Sequence, residues 1–382
     1  MEGDAFIPYG RQQIDDDDID AVVEVLRSDW LTTGPKVAEF EEAVSDFAGA
    51  RHGVAVSSGT AGLHAAMAAL DLEPGDEVIV PTMTFAATAN AVVFQGATPV
   101  FADVDSGALL VDPNGIASLI TDRTRAVIAV DYAGQPADYT ELRAITAEHG
   151  LALVSDACHS IGATLAGRSV GSLADLTVFS FHPVKHITTG EGGMVMTDDR
   201  ALADRMRRFR NHGISTDHHQ RAEVGTWFYE MVELGYNYRL TDIQSALGLS
   251  QLQKLPRWLD RRNQIAGMYR ERLADIRGIA PLEMRPDRSH AYHLYVVRVA
   301  AKAGKTRDTV FAALRSAGVG ANVHYIPVHI HPYYEREFST AKGSIPVAEQ
   351  AYEEILSLPM HHGLEDSDVD RVVHELVRAL GS

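Results

Sequence analysis

The fold of this chain is decided around one stretch, Asp175-Leu-Thr-Val-Phe-Ser-Phe-His-Pro-Val-Lys-His-Ile-Thr-Thr-Gly-Glu-Gly-Gly193. A short apolar run ends at Ser180, the chain turns, and Lys185 follows ahead of several glycines. Upstream, Asp156 closes another apolar run, Leu151-Ala-Leu-Val154. Both runs have the length and composition of buried strands. We therefore expect a lysine and an aspartate at the ends of neighbouring strands.

This pairing suits a pyridoxal phosphate site. A lysine amine condenses with the cofactor aldehyde, and an aspartate keeps the ring nitrogen protonated, so that the ring accepts electrons. Burial lowers a lysine pKa from ~10.4 towards neutrality, which makes the amine a nucleophile and a base. The alternatives are a structural salt bridge for Asp156 and a solvated surface position for Lys185.

The bulk composition narrows the classes of protein. The chain has 382 residues, 46% hydrophobic content, a formal net charge of −18 and one cysteine, Cys158. Such an acidic chain argues against nucleic acid or an anionic membrane as partner. No apolar run reaches the ~18 residues of a membrane helix, and no signal peptide is recognised. A single cysteine excludes an internal disulfide and fits the cytoplasm.

The chain order predicts an α/β fold. After an N-terminal arm, residues 1–13, strand-like and helix-like segments alternate between residues 53 and 255, which is typical of a mostly parallel sheet. Pro256 favours a border between a large domain, residues 14–255, and a smaller α+β C-terminal domain, residues 256–382. In the latter we expect strands at 290–299 and 321–326, a helix at 306–317 and two closing helices.

Three further motifs have both a structural and a functional explanation. Ser57-Ser58-Gly59-Thr60-Ala-Gly62 lies between a strand and a helix, so it either caps that helix or binds an anion there. Phe85, after the next strand, is either a core aromatic or a surface that stacks on a flat ring. The acidic run Asp15 to Asp18 is typical of a helix start rather than a metal site.

Seventeen histidines invite a metal interpretation, which the motifs do not favour. The densest groups are His324, His329 and His331, and the pair His218-His219. Zinc sites typically show HExxH or paired CxxC spacings, and neither occurs. We expect no metal and assign the first group to polar substrate contacts.

Taken together, ordered motifs along nearly the whole chain resemble the DegT/DnrJ/EryC1/StrS sugar aminotransferases, pyridoxal phosphate enzymes of fold type I. The motifs are WLTTGPKV, SSGTAGLHAA, PTMTFAATANAV, VDYAGQPAD, SDACHSIGA, SFHPVKHITTGEGG, GYNYRLTDIQSALGLSQL and NVHYIPVHIHPYY.

The resemblance implies roles for particular residues. Lys185 and Asp156 are catalytic, with Lys185 bonded to the cofactor and Asp156 at the ring nitrogen. His159 lies near the ring oxygen, and Asn237 reaches the phosphate of the partner's site in a homodimer. The other implied cofactor contacts are Ser58, Gly59, Thr60, Phe85 and Ser180. The implied substrate contacts are Tyr9, Asp29, Trp30, Leu31, Thr32, His182, Val323, His324, Tyr325, Ile326 and His329.

Within the family, the motifs resemble most the enzymes that aminate the 4-position of UDP-linked keto sugars, with L-glutamate as amino donor. A 4-keto-6-deoxy sugar of the pseudaminic acid type and a 4-keto pentose of the aminoarabinose type stay open, as does another nucleotide-sugar 3- or 4-aminotransferase. Some members carry histidine in place of the lysine and remove a hydroxyl, which Lys185 argues against. A non-catalytic regulator is disfavoured by the intact Lys185 and Asp156.

Overall fold

The computed structural model describes residues 5–216 and 225–381. A seven-stranded sheet runs through its centre in the order β1-β9-β8-β5-β4-β2-β3, and a three-stranded sheet has the order β10-β11-β12. The strands are β1 (His52–Val56), β2 (Glu77–Pro81), β3 (Thr98–Ala102), β4 (Thr124–Val130), β5 (Ala152–Asp156), β6 (Thr164–Leu165), β7 (Arg168–Ser169), β8 (Leu176–Ser180), β9 (Gly193–Thr197), β10 (Ile279–Pro281), β11 (Tyr295–Val299) and β12 (Ile355–Leu358).

Helices cover the sheets and connect their strands. They are α1 (Asp16–Leu26), α2 (Pro35–Ala48), α3 (Gly59–Ala69), α4 (Ala86–Phe94), α5 (Pro113–Ile116), α6 (Tyr139–Glu148), α7 (Arg200–Phe209), α8 (Asp242–Leu273), α9 (Arg307–Ser316), α10 (Pro332–Phe338), α11 (Pro346–Glu354) and α12 (Asp366–Leu380). In the part of the chain that the structure describes, none of these helices is long and apolar enough to cross a membrane.

The pairing of the central strands brings the predicted motifs to one edge. β2, β3, β4, β5 and β8 pair in parallel. β9 is antiparallel to both β8 and β1, so β1 points the same way as β8. The carboxyl ends of β1, β2, β4, β5 and β8 therefore meet at one edge, where ligands of such sheets bind. The mostly parallel α/β fold predicted from the sequence is confirmed.

Successive side chains of a strand point to opposite faces of the sheet, so apolar strands form a core on each face of the central sheet. Ile79, Val127 and Ala129 face one cluster, whereas Val80 and Ile128 face the other. Near-continuous burial of these strands is the expected consequence of helices on both faces of a parallel sheet.

The helix around Pro256 differs from the sequence-based expectation. Rather than ending before Pro256, α8 runs through it from Asp242 to Leu273. Leu255 is fully buried and Trp258 is 7% exposed. This burial on both sides of the proline offsets its missing hydrogen bond. The expected border at residue 255 falls inside α8, and the division into two domains stays a prediction.

Three expectations for the C-terminal region were wrong in detail. The strand expected from residue 290 begins only at Tyr295, and residues 321–326 form no strand. In that segment only Asn322 pairs in a bridge, with Ser357. Ser357 belongs to β12, a strand that was not predicted from the sequence. β12 pairs with β11 and not with a strand at residues 321–326. Three helices, not two, follow residue 326.

The acidic run at the start of α1 does more than match the helix dipole. Asp15 caps the helix. Asp18 is 1% exposed and accepts hydrogen bonds from Ser250, Gln251 and Lys254 of α8. The run therefore fastens α1 to α8.

Candidate active site

A cavity of about 680 Å³ opens at the edge where the strands β1, β2, β4, β5 and β8 end. Most of the residues predicted for the site line it. They are Tyr9, Ser58, Gly59, Thr60, Phe85, Asp156, His159, Ser180, His182, Lys185, Val323, His324 and Tyr325.

Lys185 lies in the turn that follows β8. Its backbone N–H donates a 2.8 Å hydrogen bond to the carbonyl of His182, and its half-buried side chain lines the cavity. Burial lowers the pKa of the Lys185 amine from its ordinary value of 10.5, although the nearby Cys158 and Asp156 oppose that shift. A lowered pKa provides the free amine that nucleophilic attack and proton abstraction require.

Asp156 ends β5 and is 6% exposed. Its Oδ2 accepts a 2.7 Å hydrogen bond from the Thr88 hydroxyl, and its Oδ1 accepts from the backbone N–H of Cys158 at 3.3 Å. Thr84 lies 2.7 Å from Thr88, hydroxyl to hydroxyl. Among residues 5–216 and 225–381, Asp156 takes part in no salt bridge, so the structural ion pair considered from the sequence is not observed. The carboxylate is held in place by neutral donors.

His159 follows Asp156 and packs among aromatic rings. Its Nε2 lies 3.1 Å from the hydroxyl of Tyr325, and its ring centroid is 4.3 Å from that of His293. Burial, then the charge of Lys185, holds the pKa of His159 well below its usual range. The ring is therefore neutral and offers one N–H donor and one acceptor.

The segment after β1 has the geometry of an anion site. Ser58 caps α3, and its Oγ accepts a 3.0 Å hydrogen bond from the N–H of Ala61. A Cβ at Gly59 would lie 2.9 Å from the Cβ of Ser180. Glycine at this position thus lets the end of β8 approach the first turn of α3. Free N–H groups and a positive helix end favour a phosphate here.

The opposite wall of the cavity comes from the N-terminal arm and residues 322–325. The Tyr132 hydroxyl donates to the carbonyl of His324, and Nδ1 of His324 lies 2.8 Å from the Ser357 hydroxyl. Phe85 is 59% exposed, and its ring centroid lies 5.9 Å from that of Tyr325. Phe85 is thus not a core aromatic, and its ring is available for stacking.

Several predicted substrate residues lie outside the cavity lining. Asp29, Trp30, Leu31 and Thr32 are exposed near the start of α8, where Thr32 bridges to Thr241, and Ile326 is 43% exposed. Asn237 bridges to Asn211. The expected contacts of these residues stay predictions, as does the pairing of Asn237 with a partner's site. His218 and His219 lie outside the described residues.

His329 needs a correction, because it is fully buried and its ring does not line the cavity. Its Nδ1 lies 2.7 Å from the Thr82 hydroxyl, and its Nε2 lies 2.9 Å from Oε1 of Glu349. Both ring nitrogens are therefore engaged within the protein, which gives His329 a structural position. No group of three or more metal-ligating side chains occurs within residues 5–216 and 225–381.

Sequence reasoning gave no role to Thr88, which supports Asp156 from outside the cavity lining, or to the lining residues His293 and Glu191. Thr88 lies within the quoted motif PTMTFAATANAV, where its place one helical turn after Phe85 was the available signal. His293 had no such signal, since it joins the site only through the packing of distant segments, whereas Asn322 is the first residue of the quoted motif NVHYIPVHIHPYY. Glu191 also lines the cavity.

Fold and site together define a fold type I aminotransferase that uses pyridoxal phosphate. The model of the DegT/DnrJ/EryC1/StrS aminotransferase family matches residues 12–377, and the chain belongs to that family. Its members include sugar transaminases, and this chain is a sugar aminotransferase.

Known proteins match this chain over nearly their full length, both in sequence and in structure. The chain is 43% identical over 376 residues to the spore coat polysaccharide biosynthesis protein SpsC of Bacillus subtilis, covering 98% of this chain and 96% of SpsC. The putative sugar aminotransferase Spr1654 of Streptococcus pneumoniae, solved in its PMP form, superposes with a TM-score of 0.93 at 32% identity, covering 98% and 99% of the two chains. PseC of Helicobacter pylori, an aminotransferase of pseudoaminic acid biosynthesis, gives 0.92 at 33%, with the same coverage.

Proposed function

We propose that this enzyme transfers an amino group from glutamate to the 4-position of a UDP-linked 4-keto-6-deoxy sugar. The proposal rests on the small number of cationic side chains in the cavity wall. Within the described residues, the only lysine or arginine of the lining is Lys185. An aminotransferase dedicated to keto acids holds the second carboxylate with an arginine fork. Here the wall opposite Lys185 offers Tyr9, Asn322 and His324, whose neutral polar groups suit a sugar.

The cofactor, when bound, supplies an electron sink that stabilises negative charge at the reacting carbon. The protein supplies the rest. Lys185 would accept the proton from the α-carbon of the amino donor and deliver it to the aldehyde-derived carbon of the cofactor. Asp156, fixed by Thr88, keeps a negative charge at the ring nitrogen. His159, positioned by its contact with Tyr325, presents a neutral imidazole to the phenolic oxygen of the cofactor.

The size of the cavity supports a larger acceptor than a free keto acid. About 680 Å³ lies within the range of small-molecule sites that bury most of a drug-sized ligand. The role of PseC in pseudoaminic acid biosynthesis supports the same class of substrate. The diphosphate needs donors beyond the cavity wall, and backbone N–H groups or a second chain would provide them. We place the enzyme in the cytoplasm, which suits its free cysteine, Cys158.

We further propose a homodimer with shared sites. Apolar side chains crowd an exposed segment in which Trp227 is 85%, Met231 68% and Leu234 74% exposed. A contiguous apolar surface of this kind favours association. Asn237 follows that segment directly, so a second chain packed there would carry its own Asn237 towards the neighbouring site.

A substrate panel tests the proposal. The holoenzyme would be incubated with glutamate and with UDP-linked 4-keto-6-deoxy hexose, UDP-linked 4-keto pentose, the free sugars and 2-oxo acids, and the products would be identified by mass spectrometry and NMR. We expect the UDP-linked 4-keto-6-deoxy hexose to react fastest, above all when it is N-acetylated, and the free sugars not to react. Preference for the pentose would favour the aminoarabinose type, and equal rates with 2-oxo acids would overturn the proposal.

A further inference from the structure

His293 comes from the C-terminal region of the chain but lies in the wall of the Lys185 cavity. The segment around it is held from two sides. The backbone N–H of Ala291 donates a 2.9 Å hydrogen bond to the carbonyl of Gly134, in the turn after β4. His186, the residue after Lys185, donates from Nε2 to the carbonyl of Ala291 at 2.9 Å. The position of His293 is therefore fixed by the segments that carry the catalytic residues.

Gly134 lets this segment approach the loop that carries His159. Its φ is +110°, a value that favours glycine. A Cβ at this position would lie 2.8 Å from the carbonyl oxygen of His159 and 3.0 Å from the backbone nitrogen of His293. Any larger residue would push the two histidines apart. With glycine there, their ring centroids lie 4.3 Å apart and their planes differ by 37°.

The orientation of the His159 ring depends on its neighbours. Its Nδ1 is buried without a hydrogen-bond partner in the described structure, and its Nε2 lies 3.1 Å from the Tyr325 hydroxyl. Because Nδ1 is buried, the Nε2 edge is the one that can meet the phenolic oxygen of the cofactor. One hydrogen bond at this edge leaves the tilt of the ring to packing. Among the described residues, the ring of His293 packs closer than that of Tyr325, whose centroid is 6.0 Å away.

His293 brings no charge to this contact. Burial, then the charge of Lys185, holds the pKa of His293 well below its usual range. The ring is therefore neutral at pH 7, as that of His159 is, and the two pack without repulsion. Nδ1 of His293 is buried and has no partner in the described part of the chain, so ring packing is what joins it to His159.

We propose that His293 is a positioning residue of the cofactor site. Its ring fixes the tilt of His159, so that the Nε2 edge of His159 points at the phenolic oxygen of bound pyridoxal phosphate. The proposal rests on the cofactor site of the proposed function and makes no use of the sugar. Without the His293 ring, His159 tilts away and its hydrogen bond to that oxygen weakens.

The visible absorbance of the holoenzyme tests the proposal, because it changes when the nitrogen that joins Lys185 to the cofactor loses its proton. The negative phenolic oxygen holds this proton, and a hydrogen-bond donor at that oxygen weakens the hold. We expect His293→Ala to raise the pH midpoint of the change by about one unit, the effect of losing one hydrogen bond to a charged group. His293→Phe, which keeps a flat ring, should restore most of the original midpoint.

Two further variants guard against a loss of fold. His293→Leu fills the space without a flat ring and should raise the midpoint even if the alanine variant takes up no cofactor. His362→Ala is the matched control, because His362 is a 9% exposed histidine that stacks on Trp258 at 4.2 Å outside the cavity lining. It should leave the midpoint unchanged. Circular dichroism would show that each variant is folded.

His159→Phe shows where a failure lies, since it removes the donor itself and should raise the midpoint. A raised midpoint in His159→Phe, with unchanged midpoints in His293→Ala and His293→Leu, would overturn the proposal. So would an equal rise in His362→Ala, which would show a general effect of packing. An unmoved midpoint in His159→Phe would overturn the role of His159 at the phenolic oxygen and that of His293 with it. The sugar specificity is measured separately by the substrate panel.

Discussion

The Thr88 hydroxyl donates a 2.7 Å hydrogen bond to Oδ2 of Asp156. Thr88 lies in the first turn of α4 and Asp156 at the end of β5, so the contact joins two segments that are 68 residues apart. A carboxylate that accepts such a bond is fixed in direction and favoured in its charged form. In the proposed site, Thr88 therefore acts on the cofactor's ring nitrogen through Asp156.

Replacing Thr88 by valine should lower transaminase turnover about tenfold, since a hydrogen bond to a charged group contributes about 1.5–3 kcal/mol. Thr88→Ser keeps the hydroxyl and should retain most of the turnover. The circular dichroism spectrum and the cofactor's visible absorbance should stay unchanged in both variants, which separates positioning from loss of fold. Normal turnover in Thr88→Val would contradict this role.

Lys185 should carry the cofactor. Borohydride reduction of the holoenzyme, followed by digestion and mass spectrometry, should place a phosphopyridoxyl group on the peptide that contains Lys185. Lys185→Ala should lose turnover altogether, since nucleophile and base are removed together. The buried Lys254 serves as an internal control, because its amine is bound to Asp15 and Asp18 and should remain unlabelled. A label on Lys254 or another lysine would end the assignment.

Shared sites predict complementation between inactive chains. Lys185→Ala mixed with Asn237→Asp should regain part of the activity, because one site of each heterodimer keeps both residues. The aspartate is expected to inactivate its parent by repelling the cofactor phosphate. Lys185→Ala mixed with Asp156→Ala is the control, since both changes affect the same chain's contribution and no site is restored. Equal recovery in the two mixtures, or a light-scattering mass of one active chain, would contradict the dimer.

Lys254 should be a stabilising residue. Its side chain is 8% exposed and pairs with Asp18, which is fully buried. Lys254→Met leaves the Asp18 carboxylate without its cation and should lower the free energy of unfolding by about 3 kcal/mol. Lys36→Met is the control, because the Lys36–Glu39 pair is exposed, and its loss should cost less than about 1 kcal/mol. Urea unfolding at pH 7 measures both.

The same pair predicts a pH dependence of stability. Burial works to lower the pKa of Lys254, but hydrogen bonds to Asp15 and Asp18 raise it above its ordinary value of 10.5. A raised lysine pKa contributes stability that is complete below pH 10.5 and is lost as the pH rises through the raised value. The difference in stability between the unchanged protein and Lys254→Met should therefore narrow above pH 10.5. A constant difference would show that the contribution is not electrostatic.

The sequence predicted the sheet and the cavity for one physical reason. Each motif follows an apolar run, and parallel strands carry their carboxyl ends to one edge, so Asp156, Ser180 and Ser58 meet without any knowledge of strand order. The path of α8 through Pro256 was not predictable in this way. Its continuation depends on burial of Leu255 and Trp258, which is a property of the assembled core.

The predicted substrate contacts His324 and His329 also show what sequence pattern cannot predict. His324 and His329 look alike in the sequence, five residues apart after an apolar segment. His324 lines the cavity, whereas His329 is enclosed between Thr82 and Glu349. Which histidine lines the cavity depends on partners far along the chain. Local pattern carries no information about them.

The course of the N-terminal arm has a consequence for proteolysis. Ile7 pairs with Val319 and Tyr9 accepts from the N–H of Met360, so the arm is fastened on the near side of Gly10. On the far side, Asp15 and Asp18 fasten α1 to Lys254. A protease cut between Gly10 and Arg11 would leave both pieces anchored and every catalytic side chain in place. Such a cut should therefore be visible in the mass of the denatured chain and leave the mass of the native protein unchanged.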